Sequence, residues 1–299
     1  MDLVAFVKDL ESGGVSFPEG KLIGFKRKSL GCGRTMVVED ERFDCGRASV
    51  AMVLRRSAKG IESLFIKRAH NPKDRWSGHV AFPGGRKEEG ENALETCVRE
   101  CEEEIGLRLT AGGFKVVGRL NDLEVKKGER RGKIRPLVVS VFVFLQVGGP
   151  ETPSPELTLD PKEIAQAWWV PLEGLGNQPQ LELSLKSTAF LKNATLRRLA
   201  TWVGAEHVHF PCFHLAPPGP ELKAQDFPLW GLTLSMVNDF FGKVRHKPLH
   251  TSPSFRLDSR ATTVLARALM TGRRSGLFLP SLCVLVGAIS VGIYSYRRL

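Results

Sequence analysis

The stretch from Pro83 to Leu107, PGGRKEEGENALETCVRECEEEIGL, constrains this 299-residue chain more than any other. From residue 92 onward Leu94, Cys97, Val98, Cys101 and Ile105 recur at intervals of three and four, the spacing of one apolar helix face. Gly106 follows where a helix end favours a left-handed residue, and the breaker Pro83-Gly84-Gly85 comes before. Against the stripe stand Glu100, Glu103 and Glu104. Carboxylates at that spacing share a face and repel one another. A hard divalent cation with oxygen ligands, Mg²⁺ above all, would neutralise them. Arg99 can tie down one of the carboxylates, and Glu91 is placed to join the cluster. An acidic helix face is most often only solvated. A sharp turn, a short loop, an acidic helix and a glycine stop in succession favour a site.

Apolar, β-branched runs on both sides predict strands. Residues 48–54 (ASVAMVL) and 63–67 (SLFIK) pair across a polar turn at Lys59 and Gly60, and residues 80–82 run into the breaker. Residues 114–120 and 136–145 are strands separated by the charged turn KKGERRGK, and residues 164–170 (IAQAWWV) and 207–215 add two more. Residues 92–105, 186–202 and 232–241 read as helices. Strands and helices interleave without strict βαβ alternation, which predicts an α+β fold with a mixed sheet sandwiched between helices. Residues 1–45 read as an N-terminal extension and 46–242 as the folded domain.

The segment from Gly85 resembles the signature of the Nudix hydrolases, G-x5-E-x7-R-E-U-x-E-E-x-G-U, where U is a bulky aliphatic. Gly85, Glu91, Arg99, Glu100, Glu103, Glu104, Gly106 and Leu107 fill the fixed positions, and Cys101 departs at the first aliphatic site. Cysteine buries as a small hydrophobe, so the fold should survive the change. The resemblance implies a Nudix fold and a loop–helix–loop catalytic element. Glu100, Glu103 and Glu104 would be ligands of Mg²⁺ or Mn²⁺, Glu91 would support the metal network, and Gly85 would let the backbone approach. It also implies hydrolysis of a diphosphate linking a nucleoside to another moiety. Divalent cations suit this by neutralising phosphate charge and lowering the pKa of water. The family's base varies in position. Glu163 is the candidate here, with a plain loop carboxylate as the alternative.

Upstream, LFIKRAHNPKDRWSGHVAFPGG resembles the coenzyme A diphosphatase subgroup through Arg68-Ala69, Gly78 and Phe82-Pro83-Gly84-Gly85. The segment from Ala69 to Gly78 is one residue longer than the subgroup pattern, and Lys73 or Arg75 must replace its second basic residue. EIAQAWWVPL and the WGLT at Trp230 look like the same subgroup. Arg68, Lys73 and Arg75 would contact a highly anionic substrate, although singly each could be an ordinary exposed cation. Coenzyme A or an acyl-CoA is the implied substrate, giving 3′,5′-ADP and (acyl-)4′-phosphopantetheine. ADP-ribose or a dinucleotide is the enzymatic alternative. A membrane-bound nucleotide-binding module without turnover is the non-enzymatic one.

The net charge of +11 raises nucleic acid as a partner. From Lys243 to Leu299, however, ten Lys and Arg face one Asp, so +9 sits in the tail and the body is nearly neutral. Nucleic acid is therefore not expected, and no protein partner is inferable. Within the tail, residues 277–296 carry no charge and lie between Arg273-Arg274 and Arg297-Arg298. Twenty such residues match the thickness of a bilayer core, which predicts a C-terminal transmembrane anchor over 275–299 in contact with membrane lipid. A buried core helix is the alternative. Residues 243–274 would be a basic juxtamembrane linker, within which 258–272 could lie on anionic lipid. The body would face the cytosol from a peroxisomal, outer mitochondrial or endoplasmic reticulum membrane. Six cysteines without CxxC pairs fit a reducing compartment. His207, His209, Cys212 and His214 fit no common zinc spacing. Cys97, Cys101, Trp168, Trp169 and Trp230 are expected to pack in the core.

Overall fold

In the computed structural model, residues 45–72, 76–111, 113–126, 136–187, 197–198, 201, 205–244, 249 and 256–257 are described. Strand β1 (Gly46–Ser57) runs through the centre of an eight-stranded sheet. It pairs antiparallel with β2 (Gly60–Arg68), Arg55 opposite Glu62 and Ser57 opposite Gly60, where a φ of 94° closes the expected turn. On its other side β1 pairs in parallel with β7 (Pro136–Gln146), from Gly46 opposite Leu137 to Leu54 opposite Leu145. The sheet is therefore mixed. Its order is β3-β2-β1-β7-β5, with β3 at Val80–Ala81 and β5 at Phe114–Arg119. Strand β4 (Gly84–Arg86) joins β1, β6 (Leu123–Lys126) joins β7, and β8 (Ile164–Pro171) joins β2. A four-stranded sheet follows: β9 (Leu181–Lys186), β10 (His207–His214), β11 (Pro228–Trp230) and β12 (Arg256–Leu257).

Side chains alternate across strands, so the long central strands feed two cores. On one face Ala51, Val53, Leu64, Ile66 and Phe144 pack against Cys97, Cys101 and Ile105 of helix α1 (Ala93–Ile105). On the other, Met52, Leu54, Phe65, Val141 and Val143 belong to the core of Leu234, Val237, Phe240 and Phe241 in helix α2 (Gly231–Lys243). A fully buried side chain of this size contributes roughly 1.5–3 kcal/mol, so both helices are held by packing. The mixed sheet flanked by helices is as expected.

Local chemistry sets the ends of α1. Asn92 accepts from the N–H groups of Leu94 and Glu95, and the Glu95 carboxylate accepts from Asn92 N at 2.7 Å, a reciprocal cap that fixes where the helix begins. Gly106 ends it at φ 68°, its N–H returning to Cys101 and Glu102. Helix α2 is tied down twice. Asn121 donates to Asp239 through N (2.8 Å) and Nδ2 (2.6 Å), and the Thr233 hydroxyl donates to the Val80 carbonyl at 3.1 Å.

Several expectations change. Strands β4, β6, β11 and β12 appear where none was predicted, and β12 pairs with β10 from within the stretch 243–274 expected to be a linker. Residues 181–186 form strand β9 against β10, ending where a helix over 186–202 was expected, and most of that span lies outside the described residues. The transmembrane helix is corrected as well. Among the described residues no helix is long and apolar enough to cross a membrane. Helices α1 and α2 have 13 residues each, about 20 Å at 1.5 Å per residue, against a hydrocarbon core of roughly 30 Å. Residues 275–299 and 258–272 lie outside the described residues, as do residues 1–44. The membrane placement and lipid contact drawn from that run therefore lose their support.

Candidate functional site

The turn before α1 and the acidic face of α1 press together where two glycines remove the side chains between them. Gly84 has a φ of 143°, and a Cβ there would stand 2.5 Å from Val50 Cα, so only glycine lets β4 lie on β1. Its N–H donates to Glu104 Oε2 at 2.8 Å. Gly85 lies on the Glu100 carboxylate, which any added Cβ would strike. Turn and helix thus meet at Glu100 and Glu104, the pair one turn apart that the sequence singles out.

These two carboxylates are desolvated, with side-chain exposures of 14% for Glu100 and 3% for Glu104. Burial pushes the Glu104 carboxyl up to about 7. The Gly84 N–H and Arg68 pull it down, while the charges of Glu100 and Glu163 push it further up. Burial raises Glu100 too, opposed by Arg99 and reinforced by Glu103 and Glu163. Glu163 lies 59 residues beyond Glu104, yet its charge reaches both. Ala69 N donates to the Glu163 carbonyl at 2.7 Å, and Asp160 N to the Glu104 carbonyl at 2.9 Å, which docks this loop on both the helix end and β2. The expected base candidate therefore stands beside the cluster.

Arg99 organises the exposed side. Its Nε donates to Glu91 Oε1 at 2.5 Å, Nη1 to Glu103 Oε2 at 2.6 Å, and Nη2 to the Arg86 carbonyl at 2.9 Å and Glu100 Oε1 at 3.1 Å. The guanidinium holds Glu91 down to about 2 against the upward pull of burial, helped by the Glu88 N–H and the Thr96 hydroxyl. The same contacts, Glu91 first, raise Arg99 further above its already high value. Glu103 does not converge with Glu100 and Glu104. Its side chain is 59% exposed and held outward by Arg99. As the side chains stand, no group of three or more His, Cys, Asp and Glu among the described residues is arranged to hold a metal ion.

Of the expected substrate contacts, Arg68 ends β2 with Nη1 3.7 Å from Glu104 Oε1. Lys73 and Arg75 lie outside the described residues. Cys97 and Cys101 are fully buried, and burial raises the Cys101 thiol, so the departure at residue 101 is absorbed as core. Trp168 and Trp230 are buried, and Trp169 packs against the α1-side core with Arg55 over its ring at 4.4 Å. The rings of His207 and His209 stand 6.4 Å apart along β10. Sequence reasoning missed Glu95 and the Arg86 carbonyl. The Asn-x-x-Glu spacing at residues 92–95 was a readable signal for the first; nothing local marks the second.

The family model for the NUDIX domain matches residues 46–190. The uncharacterized protein C14C4.10c of Schizosaccharomyces pombe is 34% identical over 140 residues, covering 46% of this chain and 40% of the relative's length. Among solved structures, an Ap4A hydrolase of C. elegans in a binary complex is 22% identical, over 43% of this chain and 82% of that one, with a TM-score of 0.33. A MutT protein from Methanosarcina mazei Go1 is 24% identical over 46% and 85% of the two chains, with a TM-score of 0.30. Nudix hydrolases generally use divalent metals such as Mg²⁺ or Mn²⁺. The NUDIX family model thus spans the whole acidic helix and its glycine turn, so residues 46–190 are similar to the Nudix family over just under half of the chain.

Proposed function

We propose that this chain hydrolyses the diphosphate of a nucleoside diphosphate derivative, with coenzyme A or an acyl-CoA as the favoured substrate. The observation that carries the reading is the buried Glu104 and half-buried Glu100 beneath the Gly84–Gly85 turn. Two desolvated carboxylates sharpen each other's cost of ionisation, and an oxygen donor set of that kind fits a hard divalent cation. Glu100 and Glu104 would hold it, and Glu103 would join them only by leaving Arg99. A bound Mg²⁺ or Mn²⁺ would neutralise the diphosphate and make water a stronger acid.

The chain's own residues would do the rest. Gly84 N–H fixes one Glu104 oxygen, and Arg99 sets the rotamers of Glu91, Glu100 and Glu103. Arg68 would bring a positive charge to the phosphates. The Glu163 carboxylate would accept the proton of the attacking water. Water adds to one phosphorus, the bridging oxygen leaves with the other phosphate, and the released proton passes to solvent. The coenzyme A preference rests on Arg68-Ala69, Gly78 and the Phe82-Pro83-Gly84-Gly85 run.

With Mg²⁺, the full chain should release 3′,5′-ADP from coenzyme A. Cleavage of ADP-ribose with coenzyme A untouched would overturn the substrate, and no turnover across nucleoside diphosphate derivatives would overturn the hydrolase reading. Gly85→Ala should lower turnover about tenfold with little change in Tm, because the flexible end of Glu100 can swing off the new methyl but not back to its place. Unchanged turnover would show that the position of Glu100 is unimportant. Mn²⁺ should raise Tm more at pH 8 than at pH 5, since Glu104 is ionised in the folded protein only above about 7. Equal shifts at both pH values would place the cation elsewhere.

A further inference from the structure

On the α2 face of the sheet, next to the carboxylates, lies a cavity of about 250 Å³. It shares Arg68, Gly84 and Gly85 with the site. Its floor is apolar, formed by Ala48 and Val50 of β1 and Leu137 and Val139 of β7. Its opposite wall is Trp230, Leu232 and Met236, from β11 and α2, which lie beyond the residues matched by the family model. The hydrogen bond from Thr233 to the Val80 carbonyl pins that wall to β3.

We infer that this cavity takes the apolar alkyl segment that adjoins the outer phosphate of the diphosphate, and that β11 and α2 thereby select the substrate. The inference rests on the diphosphate reading above. Proximity supports the first half: Gly84 lines the cavity and donates to Glu104, and Arg68 lines it 3.7 Å from the same carboxylate. A diphosphate held at the carboxylates therefore presents its substituent to the opening. The lining supports the second half. Among the described residues the charged lining groups are Arg68 and Arg86, and Arg68 stands at the carboxylate end. Thr233 already uses its hydroxyl, and His79 packs edge-on to Trp230 with ring centroids 5.0 Å apart. A nucleobase in this space would have to find partners for its ring nitrogens and exocyclic groups on a mostly apolar lining, or lose the water that satisfied them. An alkyl group loses nothing of that kind. The volume equals about eight waters' share of liquid, and releasing them favours an apolar occupant.

The test uses the methyl and hexyl β-esters of ADP with the full chain and Mg²⁺. Hydrolysis is followed as AMP release, and binding is measured by calorimetry with the α,β-methylene analogues, which cannot be cleaved. Each buried methylene should tighten binding about fourfold, so the hexyl ester should bind about 30-fold more tightly even if half of its extra chain is buried. Leu232→Trp, at the half-buried rim, should fill the space and bring the hexyl-to-methyl ratio close to one, with Tm confirming the fold. Equal binding of the two esters by the natural chain overturns the inference, and a base-dependent but chain-independent affinity would put the base in the cavity instead. Tighter hexyl binding without hydrolysis of either ester keeps the cavity assignment and removes the hydrolase reading. Hydrolysis of both at equal affinity does the reverse.

Discussion

Glu104→Gln is expected to lower kcat about 10²–10³-fold at pH 8 and, in the same protein without metal, to raise Tm. Both effects come from one carboxylate. Glutamine keeps the side-chain volume and an oxygen to accept the Gly84 N–H, so the turn stays on the helix. What disappears is a negative charge that is 3% exposed and titrates in the folded protein near 7. Below about pH 4.5 that carboxyl is protonated in the folded and unfolded chain alike, and glutamic acid there costs no more than glutamine. As pH rises toward 7 and beyond, the unfolded chain ionises freely while the folded one must ionise in a buried place, so stability is lost across that interval. By pH 8 the loss is on the order of 2–3 kcal/mol, or about 5 °C or more in Tm for a domain of this size. The melting temperatures of the two proteins should therefore agree at pH 4.5 and separate at pH 8, the variant higher. Unchanged kcat would remove Glu104 from the catalytic set. A variant less stable at pH 8 would show that its charge is already balanced in the folded protein.

That opposition of activity and stability marks where sequence reading succeeds and where it stops. The box is legible because its physics is local. An apolar stripe at helical spacing, an acidic face one turn long and glycines at both ends all lie within 25 residues, and the structure keeps that helix at Ala93–Ile105. Helical spacing cannot tell which carboxylate is sunk and which is exposed. Glu103 and Glu104 are neighbours in sequence, yet β4 covers one and Arg99 draws the other outward. The arrival of Glu163 depends on the path of the chain after β7, and the α2 wall depends on a second sheet, neither of which has a local signature. The uncharged run at residues 277–296 shows the converse error. Length and absence of charge satisfy the rule for a membrane span, but they hold no information about packing, and the described helices give that expectation no support.

Arg99→Met should cost more stability than any other single change on the exposed side of the site, and its pH dependence should run opposite to that of Glu104→Gln. The methionine keeps an apolar stem but removes donors to Glu91, Glu103, Glu100 and the Arg86 carbonyl together. Three carboxylates are then left close to one another with no cation between them. Arg99 is 22% exposed and Glu91 17%, so solvent screens part of the interaction, and a loss of about 2 kcal/mol is expected near pH 7. Glu91, held at about 2 in the folded protein, contributes stability that is complete above about pH 4.5 and disappears as pH falls toward 2. The Tm difference between natural and variant chains should therefore narrow as pH is lowered from 6 to 3. Turnover should fall about 10–100-fold, because carboxylates that lose their orienting partner lose affinity for a metal. Arg99→Lys separates charge from geometry. A single ammonium can restore the pH dependence of Tm by neutralising Glu91, but it lacks the planar fork that reaches four acceptors at once, so turnover should recover only in part. Full recovery of turnover by lysine would mean that Arg99 acts as a point charge, and a Tm difference that stays constant down to pH 3 would mean that Glu91 is not the group it stabilises.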